Sequence, residues 1–204
     1  MNKTGVTEIY TNNGAPVVGY VVNVALSPES RKKVLTVQDS LYRRFGDAIL
    51  PLPLQSIHIT LMDWLAPLVD YGKNKDEIFN EIFPEYDTVL RTILNEFSKI
   101  EVKFQDIHIS SEAIFMKGND SGEFQTIRDT FLKRITLLPG TKPPSKIIHF
   151  TFARFLKEIP IQPIQEFLAS QTISLNESVK NFRLIRESSV PMLEYKIIKN
   201  YRLG

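Results

Sequence analysis

Runs of β-branched and apolar residues alternate along the chain with runs that are apolar only at every third or fourth position, and the alternation recurs. Residues 17–27, VVGYVVNVALS, read as a buried strand that stops at Ser-Pro. Residues 27–46, SPESRKKVLTVQDSLYRRFG, read as a helix. Pro28 suits its first turn and Gly46 its end, and Val34, Val37, Leu41 and Phe45 form one apolar face. A Pro-rich connector, ILPLPLQ, leads to a second apolar strand, SIHITLM, over 56–62. Residues 104–155 repeat this order. IHISSEAIFMKG reads as strand, SGEFQTIRDTFLKRITLL as helix, PGTKPPSK as connector and IIHFTFARF as strand.

A displacement of 91 residues sets Leu41 on Leu132, Arg43 on Arg134, His58 on His149 and Thr60 on Thr151 without a gap. The pattern reads as a duplicated strand–helix–strand unit, and so as a two-lobed α+β fold with helices on each sheet. The first lobe repeat covers about 17–62 and the second about 108–155, within one bilobal domain, 1–204. Residues 63–84 have no counterpart and read as an insertion with a short helix. A helix over 85–100, with Val89, Ile93 and Phe97 on one face, and a shorter one over 160–170 follow the two histidine strands. Each leads into a further strand, IEVKFQDIHIS and SVKNFRLIRES, and the alternating C-terminal strands, about 178–203, read as a hairpin.

Composition narrows the function classes. A length of 204 residues and 43% hydrophobic content support one core. A net charge of +2, from 25 basic and 23 acidic residues, is not that of a nucleic-acid coat protein. The absence of cysteine excludes disulfides, thiolate zinc sites and a cysteine nucleophile. The polar start MNKTGVTEIYTNNG lacks the apolar core of a signal peptide, and no run approaches the roughly 20 apolar residues of a membrane span. A soluble, cytoplasmic monomer with no membrane partner is expected.

The chemistry lies in the repeated strands. Residues i and i+2 of a strand share a face, so His58 and Thr60 point one way and Ile59 and Leu61 the other. His149 and Thr151 repeat the arrangement, with Phe150 and Phe152 opposite. A pseudo-twofold between the lobes sets the two pairs facing each other across a cleft. Two opposed imidazoles suit phosphodiester cleavage without a metal: one takes a proton from the attacking oxygen, the other gives one to the leaving oxygen. Threonine hydroxyls donate to the non-bridging phosphate oxygens. With 27 Ser and Thr in the chain, a single His-x-Ser/Thr carries little weight. Two in matching frames of a repeat carry much more. His108, in IHIS, falls on Val17 under the same displacement, so it is expected to be structural or on the surface.

HITL and HFTFAR, about 90 residues apart in a chain near 200, resemble the paired motifs of the 2H phosphoesterase superfamily. HFTFAR is similar to the HxTLAR form of its RNA ligase-like branch, and LEYKIIKNYRL to that branch's last strand. The resemblance implies two antiparallel sheets around a central cleft and a metal-independent phosphodiesterase without cofactor. Its partner would be a small nucleotide or an RNA end. The substrate would carry a cyclic phosphate or a 2′-5′ linkage. By the same resemblance His58 and His149 are the catalytic pair, and Thr60 and Thr151 bind phosphate. Arg154 matches by position only, since strict alternation turns it away from His149. For a cyclic phosphate, His149 is taken as base for water and His58 as acid. The glycine usual soon after the first motif is replaced by MDWLAPLVDYGKNKDEIFNEIFP.

Three rivals stand beside this reading. A metal hydrolase needs clustered ligands, and the sequence has neither H-x-H nor H-x-x-x-H, with Asp63 the only carboxylate close to a motif histidine. A non-catalytic nucleotide- or RNA-end-binding module would use the same cleft but has no need of both histidines. A structural protein with a chance repeat is the third. The basic residues Arg31, Lys32, Lys33, Arg43 and Arg44 of the first helix suit RNA guidance or a solvated face.

Overall fold

The computed structural model describes residues 5–204, so the first four residues of the polar N-terminal stretch lie outside the described residues. The chain runs β1 (Pro16–Ala25), α1 (Pro28–Phe45), β2 (Ile49–Pro51), β3 (His58–Leu65), α2 (Lys75–Leu94), β4 (Ile100–Ile109), β5 (Ala113–Asn119), α3 (Glu123–Arg134), β6 (Ile148–Phe155), α4 (Ile161–Ala169), β7 (Leu175–Val179), β8 (Asn181–Ser189) and β9 (Glu194–Arg202). Two antiparallel sheets result, ordered β3-β1-β8-β9 and β2-β6-β5-β4-β7. The α+β two-sheet architecture expected from the chain is the one observed. No helix among the described residues is long and apolar enough to cross a membrane.

Local chemistry sets the helix ends. The Ser27 hydroxyl accepts from the Ser30 amide, Pro28 fills the first turn of α1, and Gly46 leaves it at φ 58°. Asn74 caps α2 by accepting from the Asp76 amide. Here the sequence reading needs correction: the helix expected from 85 begins ten residues earlier and continues through Pro84 to Leu94. The proline costs a backbone bond and about 3 kcal/mol. Buried Ile78 and Phe79 before it, and Tyr86, Leu90, Ile93 and Leu94 after it, outweigh that at about 1.5–3 kcal/mol each. The stretch around IHISSEAIFMKG is two strands rather than one, folded back at Ser110–Glu112, and SVKNFRLIRES is divided between β7 and β8 in different sheets. The terminal hairpin is observed as β8–β9.

The two sequence units are interleaved in space. β1 pairs with β3, and β5 with β6, so each unit contributes an antiparallel pair. Yet α1 packs against β6 and β7 of the five-stranded sheet, and α3 packs against β3 of the four-stranded one. Trp64, Phe79, Tyr86 and Phe131 form an aromatic cluster between α2, α3 and the four-stranded sheet, with Trp64 edge-on to Tyr86 at 5.4 Å. Phe104, Phe150, Phe152 and Phe155 fill the core against the other sheet. The connector strand β2 hydrogen-bonds to β6, tying the first unit to the second sheet.

Candidate active site

The strands carrying the two motifs, β3 and β6, meet where the sheets adjoin. Along β3, His58 and Thr60 are partly exposed and Ile59 and Leu61 buried. Along β6, His149 and Thr151 are partly exposed and Phe150 and Phe152 buried. So far alternation holds, and both pairs face away from the core.

Alternation then slips in both strands, at equivalent places. Val22 pairs with Met62 but Asn23 with Thr60, which leaves Leu61 as an extra residue. Ile114 pairs with Ala153 but Phe115 with Thr151, which leaves Phe152 as an extra residue. Leu61 and Phe152 are related by the 91-residue displacement. A bulge inverts the facing of the residues that follow it until the next slip, which in β3 comes at Trp64. Asp63 and Arg154, two residues past the bulge in each strand, are thereby turned to the same side as the motif residues, and both line one cavity with His58 and Thr60. The expectation that Arg154 faces away from His149 is overturned by this bulge.

The bulge carbonyls are held by crossed partners. Arg128 of α3 donates from Nε to the Leu61 carbonyl at 2.8 Å and from Nη2 to the Thr60 carbonyl at 2.7 Å. Gln38 of α1 donates from Nε2 to the Phe152 carbonyl at 2.7 Å and to the Leu52 carbonyl at 2.8 Å. Each unit's helix thus donates to backbone carbonyls at the bulge of the other unit's motif strand.

The two imidazoles are presented alike. His58 Nδ1–H donates to the Ser56 carbonyl at 2.6 Å, which leaves Nε2 for the cleft. His149 has a hydrogen bond to the backbone of Ile147, again two residues back. Burial pushes the His58 imidazole down to about 4, with the charges of Arg183 and His149 adding to the effect. Burial, Arg128 and Arg154 push His149 down as well. His58 therefore senses the charge of His149. His149 and Thr151 share the face of Arg154 on β6 but stand outside the cavity lined by His58 and Thr60.

Cationic groups border the site. Arg154 lies over the Tyr10 ring at 4.8 Å and 3.8 Å from Glu112, and its Nε is buried without a hydrogen-bond partner among the described residues. Arg128 is 2% exposed, and burial pushes it down only to about 10, so it stays charged at neutral pH. Arg183 donates from Nε and Nη2 to Asn23 Oδ1 and covers the Tyr195 ring. His108 sits on β4, stacked on Phe115, which meets His149 edge-on at 5.8 Å; it does not line the cavity. Among the described residues, no three His, Asp or Glu side chains form a set able to hold a metal ion.

Sequence reasoning missed Arg128, Arg183, Glu187 and residues 8–12, all near or lining the site, and met Asp63 only as the carboxylate close to a motif histidine. One signal was available: Arg128 interrupts the apolar stripe Phe124, Ile127, Phe131 of α3, where a charge needs a reason.

No family model matches the chain, and no curated protein matches it. Solved structures do. TT0787 of Thermus thermophilus aligns with a TM-score of 0.64 at 18% identity, covering 91% of this chain and 97% of that one. E. coli LigT in apo form aligns at 0.56 and 12%, covering 93% and 99%, and LigT has also been solved with 3′-AMP and with phosphate. The MHV ns2 PDE domain aligns at 0.55 and 12%, covering 84% and 98%. Two antiparallel sheets, crossed helices and a motif strand from each half meeting at the cleft make this chain's fold the 2H phosphoesterase-like fold.

Proposed function

We propose that the chain is a metal-independent phosphodiesterase of the 2H type, acting on a cyclic phosphate or a 2′-5′ phosphodiester in RNA or a small nucleotide. The observation that carries this reading is the matched presentation of His58 and His149. Each is tethered by a backbone group two residues back, each is paired with a threonine on its own face, and the charge of one is felt by the other. The fold shared with LigT and the ns2 PDE domain supports a phosphoesterase, and the LigT complex with 3′-AMP supports a nucleotide as ligand.

The mechanism follows from proton affinities. When the pair holds one proton, it resides mainly on the histidine that is depressed less. His58, pushed down to about 4, stays neutral. It is therefore assigned as the base that takes a proton from water as the new P–O bond forms. His149 gives its proton to the departing ribose oxygen as the old P–O bond breaks. This reverses the roles expected from the chain, where burial of His58 was not visible. Thr60 and Thr151 donate to the non-bridging oxygens, and the Arg154 guanidinium balances their charge as it grows.

The test is turnover of 2′,3′-cyclic nucleotides, ADP-ribose 1″,2″-cyclic phosphate, 2′-5′ oligoadenylate and cyclic oligonucleotides, each with and without EDTA. Turnover of at least one, indifferent to EDTA and lost in His58→Ala and His149→Ala, is expected. Binding without turnover of any of them would instead favour a non-catalytic nucleotide-binding module.

A further inference from the structure

The cavity beside His58 and Thr60 has a volume of about 700 Å³, far more than one phosphate group needs. Beyond Thr60 its floor is acidic. Asp63 lies about 7 Å further along the same face of β3, two strand positions on. Its carboxylate accepts no hydrogen bond among the described residues. Glu187 of β8 lines the same floor and is 4% exposed. One of its oxygens accepts from the Met192 amide, and the other has no partner among the described residues. Among those residues no cation pairs with either group. Burial pushes Glu187 up to about 7 and Asp63 to about 6, and Asp63 adds to the shift at Glu187.

Part of the wall is apolar, beside Glu8, Glu112 and Lys142. Leu68 and Ile9 line the cavity while 61% and 50% exposed. Pro67 is brought in over Gly19, the residue opposite Glu187 in the β1–β8 ladder. A Cβ at position 19 would stand 2.6 Å from the Pro67 ring. An apolar slot with hydrogen-bond acceptors beside it adjoins the Thr60 hydroxyl and the Arg154 guanidinium assigned to phosphate.

We infer that this slot, formed by Leu68, Pro67 and Ile9 with Asp63 and Glu187 beside it, binds the base of a nucleotide through the base's N–H groups, guanine fitting best. The inference rests on the phosphate reading proposed above and names what is attached to that phosphate. A carboxylate accepts two parallel N–H bonds in one plane, and guanine offers N1–H beside its 2-amino group. Uracil offers one N–H flanked by two carbonyl oxygens, which a carboxylate repels. A second phosphate at this place would be repelled too, which disfavours a pyrophosphate-bearing substrate.

The experiment is calorimetric titration at about pH 8, where both Glu187 and Asp63 are ionised, of guanosine 3′-monophosphate, uridine 3′-monophosphate and inorganic phosphate into the wild type, Glu187→Gln and Asp63→Asn. A glutamine oxygen at 187 can still accept from the Met192 amide, and Asp63 holds no bond to lose, so both variants keep the fold. The wild type should bind the guanosine nucleotide about ten-fold or more tightly than the uridine one, and the ratio should fall toward one in each variant. Equal affinities in the wild type, or a preference that survives in both variants, overturn the base slot and leave the phosphate reading standing. Binding of neither nucleotide nor phosphate overturns the phosphate reading and the slot together.

Discussion

Asp63 and Arg154 stand at equivalent places in the two halves, each three residues past a motif threonine and each turned into the cleft by a bulge. The two strands share the backbone device while the two side chains carry opposite charge. The pair therefore polarises the cleft: a cation on the β6 side and an anion deeper along β3.

Arg154 is the first test of that polarity. Arg154→Ala should lower kcat/KM by roughly 10- to 100-fold, the worth of about 1.5–3 kcal/mol for a hydrogen bond to a charged group. Arg154→Lys should recover only part, because a single ammonium does not reproduce the planar fork. Steady-state kinetics decide. An unchanged Arg154→Ala enzyme would restrict this arginine to its contacts with Tyr10 and Glu112.

The crossed clamps should be costly to remove. Arg128→Met leaves the Thr60 and Leu61 carbonyls without their donor and should destabilise the protein by about 2–4 kcal/mol. Gln38→Leu should cost about 1–3 kcal/mol, because the Leu52 amide still reaches the Phe152 carbonyl at 3.0 Å. Denaturant titrations measure both. Losses under about 0.5 kcal/mol would mean that the bulges hold themselves.

Much of the fold was legible in the sequence. The β-branched runs, the caps at Ser27 and Gly46 and the 91-residue displacement predicted the paired strands and most of the helices. Strict alternation placed His58, Thr60, His149 and Thr151 on shared faces. It failed for Arg154 because one extra residue in β6, Phe152, inverts the side chains after it, and no residue type marks that slip in FAR. The start of α2 was hidden by Pro84, which reads as a boundary until the apolar residues on both sides of it are seen to pack together. Glu187 and Arg183 reach the site only through the pairing of β8 with β1, a contact between residues about 160 positions apart that periodicity does not report.

Stability should depend on pH through opposing groups. Glu187 is pushed up to about 7 from about 4.3 in an unfolded chain, so its contribution is whole below about pH 4.3 and is lost as pH rises toward 7. His58 is pushed down to about 4 from about 6.5, so its contribution is whole above 6.5 and is lost as pH falls toward 4. Glu187→Gln removes the first dependence. Its stability relative to wild type should therefore climb by up to about 3 kcal/mol between about pH 4.5 and 7, read from urea titrations across that range. A difference that does not vary with pH would show that Glu187 is ionised in the folded protein.

His108 touches Phe115 rather than the cavity, so His108→Ala should leave turnover within a few-fold of wild type while lowering Tm. A loss as large as that of His149→Ala would move the catalytic pair.

The two-histidine account is tested most directly by the pH dependence of kcat/KM on a 2′,3′-cyclic nucleotide, measured for wild type, His58→Ala and His149→Ala in EDTA. Wild type should give a bell with its optimum on the acid side of about 6.5, because both imidazoles are pushed below that value. Each variant should lose about 10²–10⁴-fold and one limb of the bell, His58→Ala the acid limb and His149→Ala the basic one. A single ionisation in wild type, or full activity in either variant, would contradict it.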